Sequence, residues 1–381
     1  MDTKVVKIED VKAQRAELAR AGEILRAGGL VAFPTETVYG LGANGFDAEA
    51  CARIYAAKGR PSDNPLILHV SDRSMVDRVA QSVTPLAERL LAAFCPGPIT
   101  LIMHRRATVP DRITGGLATV GVRMPENDIA RAMIKAAGVP VAAPSANISG
   151  RPSPTTAESV LRDMQGRIPL ILDGGPCHYG VESTIVDTTG DQALILRPGA
   201  VTPEMLAEVL GGEWSVALDP ALQQLGQTAE LDPAQGAAQA AGPAPRAPGM
   251  KYRHYAPKAP LTLLEGAAAD MSAAFVAEVR RQQAVGHTVG VLASREVCNA
   301  LINARVLPPD LVMDYGPQGD LYAIAAHIYE DLIAFDDLPA DVLLAEGTTS
   351  EGLGLAIMNR LHKASGFHSL QVPAGGRIVS G

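Results

Sequence analysis

A chain of 381 residues and 39.8 kDa is long enough for two hydrophobic cores. With 47% hydrophobic and 19% charged residues it is globular in composition, and aromatics at 4% leave the core to Ala, Val, Leu and Ile. The net charge of −8 falls mostly beyond residue 212, so neither part is the polycation that strong nonspecific nucleic-acid binding requires.

Taken in chain order, Glu17 to Ala27 reads as an amphipathic helix stopped by Gly28-Gly29. LVAFPT (30–35) is a short buried strand ending near Pro34, Ala48 to Lys58 a helix, PLILHV (65–70) a strand, and Thr84 to Phe94 a helix. ITLIMHR (99–105), TVGVRMP (119–125), VPVAAPS (139–145), LILDGG (170–175) and STIVDT (183–188) read as strands, with strand pairs near 95–125 and 170–200. Strands alternating with helices and hairpins predict a mixed α/β sheet. Residues 226–249, rich in Ala, Pro, Gly and Gln, read as a linker. The stretch just after differs: APGMKYRHYAPKAP (247–260) interleaves Lys251, Arg253 and Lys258 with tyrosines and prolines, as a lid over an anion would. Beyond it, LTLLEG (261–266), TVGVLAS (288–294) and ADVLLAEG (340–347) are strands, separated by helical stretches near 270–285 and 321–335. That order predicts a smaller, mainly parallel, doubly wound domain. The expected boundaries are 1–215, a linker and lid at 216–260, and 261–381.

No run reaches roughly 18 apolar residues and the N-terminus mixes charge signs, so a cytoplasmic protein without a membrane span is expected. Cys51, Cys95, Cys177 and Cys298 form no CxxC pair, and the histidines show no ligand spacing. Reduced thiols and no structural metal are expected.

The polar residues cluster at strand ends. PTETVYGLG (34–42) is either a polar turn or part of a site. Lys58-Gly59-Arg60-Pro61 ends a helix with two cations on a rigid turn, which suits a polyphosphate, and Asn64-Pro65 leads into the strand carrying His69. In TVGVRMP, Thr119, Gly121 and Arg123 share one strand face, and the arginine either holds a small carboxylate or forms a structural ion pair. PSANISG (144–150) places short hydroxyl and amide groups after a strand, as an anion cradle would, with Ser153 close behind. GVEST (180–184) and LRPG (196–199) complete the set. No GxxxxGK[ST], GxSxG or dinucleotide fingerprint is present. What is left is a site of cations, hydroxyls and amides, suited to handling nucleotides by positioning and electrostatics.

In order and spacing, these strings resemble the YrdC-like threonylcarbamoyl-AMP synthases. The 247–260 segment, with LYAIAAHIYEDL (321–332) and GLGLAIMNRLHKAS (352–365), resembles their long, two-domain form. The resemblance implies an N-terminal YrdC-like mixed twisted sheet and a C-terminal Rossmann-like domain. It also implies a nucleotidyltransferase that joins L-threonine, bicarbonate and ATP, with Mg2+, into L-threonylcarbamoyl-AMP and pyrophosphate. The product would pass to a tRNA threonylcarbamoyl-transferase complex, and a weak direct tRNA contact stays open. By the same resemblance, Thr35, His69, Arg123, Ala143 (through its backbone) and Ser183 bind L-threonine. Lys58, Arg60, Asn64, Thr119, Ser145, Asn147, Ser153 and Arg197 bind ATP, and Tyr252, His254 and Tyr255 fold over the nucleotide. No general base stands out, and no side chain is assigned to a metal. Two alternatives are a tRNA- or duplex-RNA-binding module without adenylate synthesis, and a carbamoyl-transfer enzyme of the hydrogenase-maturation kind. The latter's zinc-finger cysteines are absent here.

Overall fold

The computed structural model describes residues 2–62, 64–224, 245–248 and 255–375. They divide into two compact units, one built on residues up to 223 with 245–248, the other on 255–375 with 150–152. Tyr252 and His254 lie outside the described residues.

The first unit is built on a mixed sheet whose strands run, edge to edge, β1 (Lys4–Lys7), β8 (Leu170–Asp173), β2 (Val31–Phe33), β3 (Gly40–Asn44), β7 (Val141–Ala142), β4 (Ile67–His69), β6 (Thr119–Arg123), β5 (Ile99–His104), β9 (Thr184–Asp187), β10 (Ala193–Arg197) and β11 (Val216–Leu218). β4 and β6 are parallel, β5 and β6 antiparallel, and β5 and β9 parallel. The sheet is mixed, as the alternation of elements predicts. Its central strands are buried on both faces, which explains their near-continuous apolar runs.

Helix ends are set by local chemistry. Asp47 caps the helix Ala48–Lys58 by accepting from the Glu49 and Ala50 N–H groups. Gly59, at φ +62°, ends it with its N–H turned back to Ala56 and Tyr55. Lys58 is thereby fixed on the last turn. Thr84 caps the helix Pro85–Phe94, with proline at its first position.

The expected linker is shorter than its composition suggested. β11 falls inside the 216–260 stretch yet pairs in parallel with β10, and the helix Pro220–Gln224 follows it. Farther on, Ala247 is fully buried against Ile67, Ile102, Ile185 and Leu196. Arg246 reaches Asp187 at 3.2 Å and Asp219 at 3.7 Å. The Ala/Pro/Gly/Gln bias begins only after these first elements, so the boundary at 215 cuts through the first unit.

The second unit carries a wholly parallel sheet in the order β14 (Val312–Asp314), β13 (Val289–Ala293), β15 (Val342–Glu346), β12 (Leu261–Gly266) and β16 (Ser369–Val372). Helices Ala268–Ala284, Arg295–Asn303, Leu321–Ala334 and Leu353–Ala364 connect the strands. It is the smaller, doubly wound α/β unit. No disulfide joins Cys51, Cys95, Cys177 or Cys298 to another described residue, and no described helix is long and apolar enough to cross a membrane.

Candidate functional site

Strand register gathers one group of the expected residues. His69 and Arg123 end β4 and β6 directly opposite one another. Ala143 follows β7, the other neighbour of β4, and its N–H bonds to Ile67 O at 2.9 Å. Ser183 precedes β9, beside β5, and its hydroxyl lies 2.8 Å from that of Thr100 on β5. Thr35, just past β2, uses its hydroxyl to close its own turn. It donates to Val38 O at 2.6 Å and accepts from the Thr37 and Val38 N–H groups. All five are buried.

Arg123 is not alone in this buried cluster. Its Nη2 donates to Glu36 Oε1 at 2.7 Å, and both side chains are about as buried as a core leucine, at 5% and 6% exposure. The sequence reading left open whether Arg123 holds a ligand carboxylate or a structural partner; a resident carboxylate is already there. Three atoms of this cluster have no hydrogen-bond partner among the described residues: Glu36 Oε2, Arg123 Nε and His69 Nδ1. Burial, reinforced by the Arg123 charge, pushes the His69 pKa down to about 3, so the ring is neutral at physiological pH.

The expected nucleotide residues form a second group. Lys58 Nζ donates to Ser145 O and Asn147 O, each at 2.5 Å, and lies 3.3 Å from Asn147 Oδ1. Burial first, then Arg60, lowers its pKa well below the ordinary lysine range. The Lys58 amine, expected to face phosphate, here braces the 144–150 loop through these acceptors. Ser145 Oγ meets Asn147 Oδ1 at 2.5 Å, and Ser153 Oγ donates to Glu182 Oε1 at 2.6 Å. Arg60 donates to Pro65 O at 3.2 Å, while Asn64 is buried and its Oδ1 has no hydrogen-bond partner among the described residues.

Arg197 joins the two groups. Its Nε and Nη2 donate to Ser183 O and Oγ, both at 3.1 Å, and Nη1 reaches Pro248 O at 3.4 Å. Thr119 stands apart, at the opposite end of β6 from Arg123, about 13 Å along the strand. Tyr255 packs its ring on Tyr329 of the second unit, with centroids 5.1 Å apart. Glu36, Thr100 and Glu182 were not singled out from sequence. Thr100 is a lone polar residue within an apolar strand, whereas Glu36 stands between two threonines and Glu182 precedes Ser183, so nothing local marked these two.

Residues 23–199 match the family model described as Telomere recombination, and residues 201–366 the one described as Threonylcarbamoyl-AMP synthase, C-terminal domain. A Bacillus subtilis protein named threonylcarbamoyl-AMP synthase is 41% identical over 97% of this chain and 96% of its own length. The chain belongs to the threonylcarbamoyl-AMP synthase family. As a member of that family it is an enzyme, a transferase with a two-unit α/β fold. A Pyrococcus abyssi threonylcarbamoyl-AMP synthase is 41% identical over 92% of this chain and 95% of its own. The crystal structure of P. abyssi Sua5 complexed with L-threonine superposes with a TM-score of 0.84 at 39% identity, covering 98% of this chain and 100% of that one.

Proposed function

We propose that this enzyme makes L-threonylcarbamoyl-AMP and pyrophosphate from L-threonine, bicarbonate and ATP, in the cytoplasm and for a tRNA-modifying transferase. The observation that carries the reading is the buried cluster of unpartnered groups: a guanidinium N–H, a carboxylate oxygen and a neutral imidazole nitrogen. Leaving such groups unpaired is costly, and a small polar molecule bearing charge and a hydroxyl would satisfy them. L-Threonine is such a molecule, and a relative 39% identical was solved with it.

The chemistry asks little covalent work of the protein. The threonine amine adds to the carbon of CO2 drawn from bicarbonate and loses a proton. A carbamate oxygen then attacks the α-phosphorus, and the bond to pyrophosphate breaks. Carbamates revert readily in water, which favours a site screened from solvent, as the buried Thr35, His69, Arg123 and Ser183 would provide. The loop holding Ser145 and Asn147, with Arg60, Asn64, Ser153 and Arg197, would seat the nucleotide, its backbone braced by Lys58. Mg2+ would enter with the triphosphate and offset phosphate charge. Glu182 and Asp163 already accept from the Ser153 hydroxyl and the Ile148 N–H, so no side chain is assigned to the ion. An RNA-binding module without adenylate synthesis gains no support from charged groups that are buried. Incubation with ATP should release pyrophosphate only when L-threonine and bicarbonate are both supplied. ADP and phosphate as the sole products would refute the reading.

A further inference from the structure

We propose that Glu36 recognises the substrate's ammonium group, so that Glu36 and Arg123 together clamp an amino-acid zwitterion. The inference rests on the threonine reading above and adds to it a residue and a basis for specificity. Glu36 is held firmly: its carbonyl accepts from the Tyr179 N–H at 2.8 Å, and Thr35 closes the turn around it. The fold therefore fixes its backbone, and Arg123 holds its carboxylate.

One carboxylate oxygen is bonded to Arg123, while the other is buried and unpartnered. An ionised carboxylate accepts at both oxygens, so half of its capacity stands idle where water is scarce. Arg123 is in the matching condition, with Nη2 on Glu36 and Nε unpartnered. A zwitterion answers both needs. Its carboxylate takes the free edge of Arg123, its ammonium takes Glu36 Oε2, and the pair need not separate. Net charge at the pair is unchanged, because a neutral ion pair receives a neutral ligand. Arg123 alone would accept any small carboxylate. Glu36 beside it repels those that bring no ammonium. The same contact would hold the nitrogen that must be carbamoylated.

The test is calorimetric binding of L-threonine and of (R)-3-hydroxybutyrate, which is threonine without its amine. Both ligands are titrated into the full-length chain, Glu36→Gln and Glu36→Asp, with melting temperatures measured alongside. The unaltered chain should prefer threonine by about a hundredfold or more. Glu36→Gln should weaken threonine by about thirtyfold or more, as loss of one buried charge partner does. It should leave the amine-free acid unchanged or bound more tightly, collapsing the preference, whereas Glu36→Asp should retain it. A general loss of structure would weaken both ligands alike. If Glu36→Gln does not fold, the unaltered chain and Glu36→Asp still decide the matter. Overturning results are equal or tighter threonine binding by Glu36→Gln, which would make Glu36 a counterion that substrate displaces, or comparable binding of both ligands by the unaltered chain. No threonine binding by the unaltered chain would overturn the threonine reading itself.

Discussion

His69 sits opposite Arg123 across two parallel strands, and its pKa near 3 has a consequence for folding as well as for binding. In the unfolded chain a histidine titrates near 6.5. Below that value the unfolded state takes up a proton that the folded state refuses, so stability falls as pH drops from about 6.5 towards 3. The slope is about 1.4 kcal/mol per pH unit for this one group. Replacing His69 with Asn should remove that slope, so the stability lost by the unaltered chain between pH 7 and 5 should exceed the variant's by about 2 kcal/mol. A His69 ring resonance titrating near pH 6.5 in the folded protein would show that the ring is not held neutral. His69 and Arg123 were legible in the sequence because each closes an apolar strand with a polar residue. Glu36 was not, since its partner lies 87 positions away and nothing local distinguishes it from any turn glutamate. Lys58 was legible as a cation on a helix end but not as a buried prop, because its acceptors are carbonyls of a distant loop.

Among the elements, the turn before β9 and the turn after β10 approach so closely that only glycine fits at 199. A β-carbon there would lie 2.3 Å from Thr184 N and 2.6 Å from Glu182 O, both backbone atoms that cannot rotate aside. Gly199→Ala should therefore cost about 1–3 kcal/mol through overpacking. Because Ser183 lies between those two residues, threonine affinity should fall with it. Gly190→Ala, where a β-carbon meets nothing within 4 Å, is the control and should be near neutral. Equal melting temperatures for the two variants would contradict the packing argument. Sequence periodicity found the apolar central strands of both sheets and the helices Arg15–Arg26, Ala48–Lys58, Pro85–Phe94, Ala268–Ala284 and Leu321–Ala334, but not Arg73–Val79, Asp128–Ala137, Ala157–Met164 or Pro203–Leu210, although each of these four carries a side-chain cap. It missed β1, β11, β14 and β16, and these are the four sheet edges. Edge strands are short and carry polar residues, as in KVVK and VMD, so they lack the apolar run by which a strand is recognised. β3 was missed for another reason. Two of its five residues are glycine, which weakens the strand pattern, yet Phe33 and Val141 leave no room for side chains there.

At the scale of the whole chain, composition showed where the first unit is left behind but not where the chain comes back to it. Residues 245–248 return to the sheet. Ala247 fills a gap among four aliphatic side chains, and Pro248 offers its carbonyl to Arg197, which in turn holds Ser183. Composition cannot reveal this, because one alanine in an Ala/Pro-rich stretch looks like any other. The contact ties the start of the expected lid to both proposed substrate groups. Ala247→Asp in the full-length chain tests it. A carboxylate among Ile67, Ile102, Ile185 and Leu196 finds no partner, so the segment should lift rather than bury the charge. Arg197 then loses its contact with the Pro248 carbonyl, and the nucleotide loses a fixed edge. Pyrophosphate release should fall by about tenfold to a hundredfold, the penalty of a small misplacement of reactants. Threonine binding should change far less, because Glu36, His69 and Arg123 are held by their own strands and turns. A chain ending at residue 224 should melt below one ending at 248, since it uncovers the same aliphatic patch. If Ala247→Asp releases pyrophosphate at the unaltered rate, the returning segment only packs against the sheet, and closure over the nucleotide must be sought beyond residue 248.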